Sequence, residues 1–145
     1  MSSTRPGTPP LAPTDGRVFT ARMSAREMAV LSVAQPVEDQ DRAIEFYRDV
    51  LGFEVVRDAA LSGGARWVEV APPGSPVSVA LVDRNGPVPL GVRVGVPHID
   101  LLHETLQRDE IDVDDAVIRT PSAPAMFTVR DPDGNTVVLV EVPGD

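Results

Sequence analysis

The 145-residue chain contains no cysteine and no lysine, and its aromatic content is only 4%. Without cysteine there are no disulfides, no thiol catalysis and no cysteine metal sites. No apolar run reaches the ~20 residues that a membrane span requires, and the first residues lack the charged-then-apolar layout of a secretory signal. A cytoplasmic protein is therefore expected. Basic charge is also scarce: 13 arginines face 22 acidic residues, for a net charge of −9. Such a chain repels phosphate backbones and anionic lipid, so neither nucleic acid nor a membrane is an expected partner. The use of arginine alone, with 15 prolines, is the composition expected of a GC-rich, actinomycete-like genome. What remains is an ordinary apolar fraction of 42%, enough in one domain of this length to bury a sizeable core.

Residues 1–16, MSSTRPGTPPLAPTDG, are rich in Pro, Ser, Thr and Gly and read as a flexible tail. Residues 17–145 read as a single domain, with a short lead-in before Ala29. AVLSVAQPV (29–37) has strand character, and EDQDRAIEFYRDVLGF (38–53) is a helix with both ends marked. Asp39 is placed to cap its start and Gly52 to close its end. Ala43, Phe46, Tyr47 and Val50 share its apolar face. Strands are expected at 53–58, 65–71 and 77–82.

The order then repeats. LGVRVGV (90–96) is a strand and PHIDLLHETLQRDE (97–110) a helix. Its end is expected to be strained or frayed, because Glu110 stands where glycine fits best. Strands at 112–118, 125–130 and 135–141 complete a second copy. Module 1 covers about 29–83 and module 2 about 90–141, an internal duplication of strand–helix–strand–strand–strand. Alternation sorts the strands into two faces. Val33, Val37, Val68, Val70, Val77, Val79, Leu81, Val92, Val94, Val96, Phe127, Val129, Val137 and Leu139 belong under the helices. The other face is mixed: Ser32, Ala34, Pro36, Trp67, Glu69, Ser78, Ala80, Gly91, Arg93, Gly95, Met126, Thr128 and Val138. Gln35 is polar on the helix side, and a bulge beside Pro36 is one way to accommodate it. The expected fold is α+β: two βαβββ modules in a curled mixed sheet, helices outside and a ligand cup within.

PVEDQDRAIEFYRDVLGFEVV, RWVEVAPPGSP and AMFTVRDPDGNTVVLVE, in this order and spacing, resemble the vicinal-oxygen-chelate superfamily, the glyoxalase/bleomycin-resistance/extradiol-dioxygenase group. The resemblance spans residues 29–141 and implies this βαβββ-pair fold and a homodimer. It also implies, for the enzymes of the group, one divalent metal held by His, Glu or Gln from the first and last strands of each copy. In this chain those positions fall on Ser32, on Ala80 (or Ser78), on Gly91 and on Val138, with Glu141 one strand pitch beyond. A metal site and a cofactor are therefore not expected. His98 and His103 are five apart on a helix and read as surface histidines. Asp112, Asp114 and Asp115 read as a solvated acidic edge.

The cup retains Trp67, Glu69 and Arg93. Trp67 offers a wall for planar ligands. Glu69 is either a general base or the partner of Arg93 in a structural pair, and Arg93 is suited to clamp a carboxylate or phenolate. Ser32, Ala34, Trp67, Glu69, Ser78, Ala80, Arg93, Met126 and Val138 are the expected ligand-binding residues, with Glu69 as the catalytic candidate. The first functional expectation is metal-independent binding of a small, partly aromatic molecule, as in sequestration of an antibiotic or toxic metabolite. The alternatives are a metal-free isomerase or lyase using Glu69 as base, and a metal-dependent glyoxalase or dioxygenase. The sequence leaves open whether the protein catalyses anything.

Overall fold

A computed structural model describes residues 27–143. The expected tail at 1–16 and nearly all of the lead-in lie outside them. β1 (Ala29–Val37) is followed by α1 (Gln40–Glu45), which widens into a π-helical turn, Phe46–Val50. β2 (Glu54–Ala60), β3 (Arg66–Ala71) and β4 (Ser78–Asp83) complete the first module. The second consists of β5 (Val92–Val96), α2 (Ile99–Arg108), β6 (Ile118–Thr120), β7 (Ala123–Arg130) and β8 (Thr136–Glu141). One eight-stranded sheet runs in the order β2-β3-β4-β1-β5-β8-β7-β6. β1 pairs parallel with β4, as β5 does with β8, and the modules join through the antiparallel β1–β5 pair.

The sorting of the faces holds for most of the sheet. Val68, Val70 and Leu81 pack under α1 with Ile44. Val96, Phe127 and Leu139 pack with Ile99 and Leu102 of α2. Asp39 caps α1 by accepting from the Arg42 N–H at 3.1 Å, and the Gln40 amide donates to the carbonyls of Arg66 and Leu81, tying the helix start to β3 and β4. Gly52 takes φ +79° and Phe53 donates back to Tyr47 O, closing the helix as expected. Glu110 is forced to φ +63° while the Ile111 N–H reaches Leu106 O, so the strained end of α2 is present.

Five expectations are corrected. The buried arc of α1 is Ala43, Ile44 and Tyr47, whereas Phe46 is 49% and Val50 67% exposed. The wide turn beginning at Phe46 carries the later residues round the axis, away from the sheet. The strand at 112–118 contracts to an isolated bridge, Val113–Val129, before β6. There Asp114 is fixed rather than solvated: its carboxylate accepts from the Thr128 N–H and from Arg130. His103 is buried, its ring edge-on to Phe127 at 4.8 Å and its Nε2 2.8 Å from Asp114 O; His98 is exposed. Finally, the β1 bulge falls at Leu31, between Val30 and Ser32, not at Pro36. Gln35 needs no bulge, because the outer face of the central strands is open: Val30, Val33, Gln35 and Val92 are all exposed.

Candidate functional site

The sheet curls until its two ends meet. The turn after β2 touches the β6–β7 turn, where the Ser62 N–H donates to Ser122 Oγ at 2.9 Å and the two hydroxyls lie 2.8 Å apart. Beneath this contact is a cavity of about 750 Å³, the size of a small-molecule site. Its walls are mainly apolar, and both modules contribute, with Leu61 and Trp67 from one and Met126 and Val138 from the other. The inter-module linker adds Pro87, Val88 and Pro89.

Sheet register places the polar floor. Ser32 stands opposite Ser78 on one side and Arg93 on the other, and Arg93 stands opposite Val138. Ser78, Ser32, Arg93 and Val138 thus form one row across β4, β1, β5 and β8. From β5 the Arg93 side chain reaches back to β3, with its Cζ 4.3 Å from the Trp67 ring centroid. Short residues on the two strands between leave room for that reach. The indole N–H of Trp67 donates to one oxygen of Glu69 and the Ser78 hydroxyl to the other. Arg57, across β2–β3 from Glu69, enters the wall because the bulge at Val56 turns both residues inward.

Of the expected binding residues, Trp67, Glu69, Ser78, Arg93, Met126 and Val138 line the cavity. Ser32, Ala34 and Ala80 do not. Ala34 and Ala80 pack with Trp67 and Val82, and Ser32 is 0% exposed with its hydroxyl unpartnered. Such a buried hydroxyl costs about 1–3 kcal/mol, and Leu31, displaced by the bulge, takes its place in the lining. The expected Glu69–Arg93 pair is also absent. Among the described residues no ion pair or hydrogen bond engages the Arg93 guanidinium, which stacks on Trp67 instead. Burial pushes that guanidinium below its ordinary value; Glu69 opposes the shift and Arg57 adds to it. Sequence reasoning missed Arg57, the linker prolines and the β6–β7 turn, whose inward orientation depends on curling and bulging rather than on periodicity.

The row also tests the metal implied by the resemblance. Its side chains are two hydroxyls, a guanidinium and a valine, which do not make a divalent-cation site. No group of three His, Asp or Glu among the described residues is placed to hold a metal. Gly91 is not in the row: at φ +124°, an added Cβ would lie 2.3 Å from Thr136 O. Register puts Arg93 where Gly91 was expected.

A family model described as the Glyoxalase/Bleomycin resistance protein/Dioxygenase superfamily matches residues 29–139. Methylmalonyl-CoA epimerase from Mycobacterium tuberculosis shares the fold, with a TM-score of 0.64 at 23% identity over 80% of this chain and 88% of that one. TnmS3, an antibiotic binding protein from Streptomyces sp. CB03234, is 32% identical over 80% of this chain and 96% of its own, with a TM-score of 0.36. The uncharacterized protein YetH of Bacillus subtilis (strain 168) is 41% identical over 44 residues, 30% of this chain, and the match spans 37% of that protein's length.

Proposed function

The chain belongs to the glyoxalase/bleomycin resistance/dioxygenase superfamily, and on that premise we propose that it binds a small, partly aromatic molecule in its cup without a metal and releases it unchanged. Sequestration of an antibiotic or toxic metabolite is the specific form of this reading. One observation carries it: within a mainly apolar cavity whose lining carboxylates are Glu69 and Glu141, both oxygens of Glu69 are already engaged by Trp67 and Ser78. A carboxylate held by two donors is turned toward the Trp67 and Ser78 side chains and fixes them, and only its remaining lone pairs are open to a substrate's proton. A homodimer is part of the proposal. It is supported by the exposed apolar stripe of Val30, Val33 and Val92 on the outer face, and sedimentation equilibrium giving a single-chain mass would remove that part.

The binding test is equilibrium dialysis against a panel of planar aromatic compounds, followed by mass spectrometry of the recovered ligand. Trp67, the only tryptophan, provides a parallel fluorescence signal. Binding with quantitative recovery is the expected result, and Glu69→Gln should change affinity by no more than about tenfold, roughly 1.4 kcal/mol. A new product that disappears in Glu69→Gln would establish the isomerase or lyase reading in place of this one.

A further inference from the structure

Charge in the cup does not follow the charge of the chain. Five of the described arginines, Arg48, Arg66, Arg84, Arg119 and Arg130, are in ion pairs with carboxylates. Arg42 and Arg108, which have no ion pair, lie on the outer helices. Among the described residues Arg57 and Arg93 also lack an ion pair, and both line the cavity. Two unpaired guanidiniums therefore line one cavity, beside the carboxylates of Glu69 and Glu141. They act on one another across it, since the Arg57 charge disfavours the charged form of Arg93. Glu69 attracts the Arg93 charge more than Arg57 repels it, but its oxygens are turned to Trp67 and Ser78 and take none of the guanidinium's N–H donors.

The Arg93 guanidinium lies over the Trp67 ring, and its N–H donors meet no partner among the described residues. Those donors are arranged to meet two oxygens side by side. An incoming anion would take up the unmet donors and offset the repulsion between Arg57 and Arg93. A cation would meet both charges at short range, and a neutral body would leave the donors desolvated and unsatisfied.

We propose that the cup selects an organic anion with an apolar planar body, whose carboxylate or equivalent oxyanion lies between Arg93 and Arg57 while the body fills the apolar walls. This rests on the binding reading above, and a matched set of probes separates the two. Isothermal titration calorimetry near neutral pH would compare 2-naphthoate, 2-naphthalenemethanol and 2-naphthylmethylammonium, which share the ring and differ in charge.

Naphthoate should bind tighter than the alcohol by about tenfold or more, the scale of one charge-assisted contact, and the ammonium should bind weakest. Arg93→Gln should erase the anion's advantage while leaving the alcohol's affinity in place. Arg57→Gln, at an exposed position that folding does not depend on, should reduce the advantage and keeps the test decisive if Arg93→Gln is misfolded by circular dichroism. Equal binding of naphthoate and alcohol, or an anion preference undiminished in Arg57→Gln, would overturn the anion proposal and leave the aromatic-binding reading standing. Failure of all three probes to bind would count against both.

Discussion

The sharpest test of the packing is a pair of phenylalanine substitutions that the sequence pattern treats alike and the structure does not. Phe127 is 0% exposed, sits among Val96, Ile99, Leu102, Ala125 and Leu139, and takes the His103 ring against its own. Phe127→Ala should cost about 3–5 kcal/mol, because few of these neighbours can move into the space left by the ring. That is a large share of the ~5–15 kcal/mol that holds an ordinary domain folded. With an unfolding entropy of about 2.1 cal/mol/K per residue, a 4 kcal/mol loss corresponds to a fall in Tm on the order of 15 °C. Phe46 is 49% exposed, so Phe46→Ala removes about half the burial of a phenyl group and should cost about 1 kcal/mol or less. Urea titrations followed by far-UV circular dichroism, with slopes checked for equality, give both numbers. Comparable losses for the two variants would mean that α1 presents Phe46 to the sheet and that the wide turn is misplaced.

Two further outcomes follow from the site and the surface. After incubation with zinc, nickel, manganese or iron and then desalting, the protein should retain less than one equivalent of metal by elemental analysis, because the row Ser78, Ser32, Arg93, Val138 offers no suitable donor set; one tightly held equivalent would refute that. Arg66 holds the Asp58 carboxyl below its ordinary value by donating to it, so the contribution of this pair is present above the unfolded carboxylate range and is lost as pH falls below it. Asp58→Asn should therefore lower stability at neutral pH by less than about 1 kcal/mol, Asp58 being exposed and Arg66 partly so, and the difference from the parent should vanish in acid titrations; a difference that grows toward low pH would contradict the sign.

What the sequence made legible is what depends on spacing along one element. Period-two alternation placed Val68, Val70, Leu81, Phe127 and Leu139 under the helices, and the caps Asp39 and Gly52 were read from local chemistry that the structure repeats. The failures occur where one residue breaks the period. The turn at Phe46–Val50 has the same composition as an α-helical turn, so nothing in the residues marks the widened spacing that exposes Phe46 and Val50. His103 looks solvated beside the acidic run, yet a backbone carbonyl and an aromatic edge make its burial tolerable.

The same reasoning explains why the site was only half legible. Trp67, Glu69 and Arg93 were assigned to the cup face by parity, and parity survives as long as each strand is regular. It cannot say which residues stand abreast on different strands, and that alignment decides what the floor presents. The bulge at Leu31 moves β1 by one residue against β5, bringing Ser32 opposite Arg93 rather than opposite a residue nearer Gly91. The register of Ala29 and Val30, continued without the bulge, would set Ser32 against Val92; with it, the row takes the longest cation the chain can make. Because Ser32, Ser78 and Ala80 are short, that cation extends across two strands to Trp67 instead of closing on Glu69. Its donors therefore remain uncommitted inside an apolar wall, and the charge that a bound molecule meets is set by a one-residue slip in a strand whose own sequence carries no charge at all.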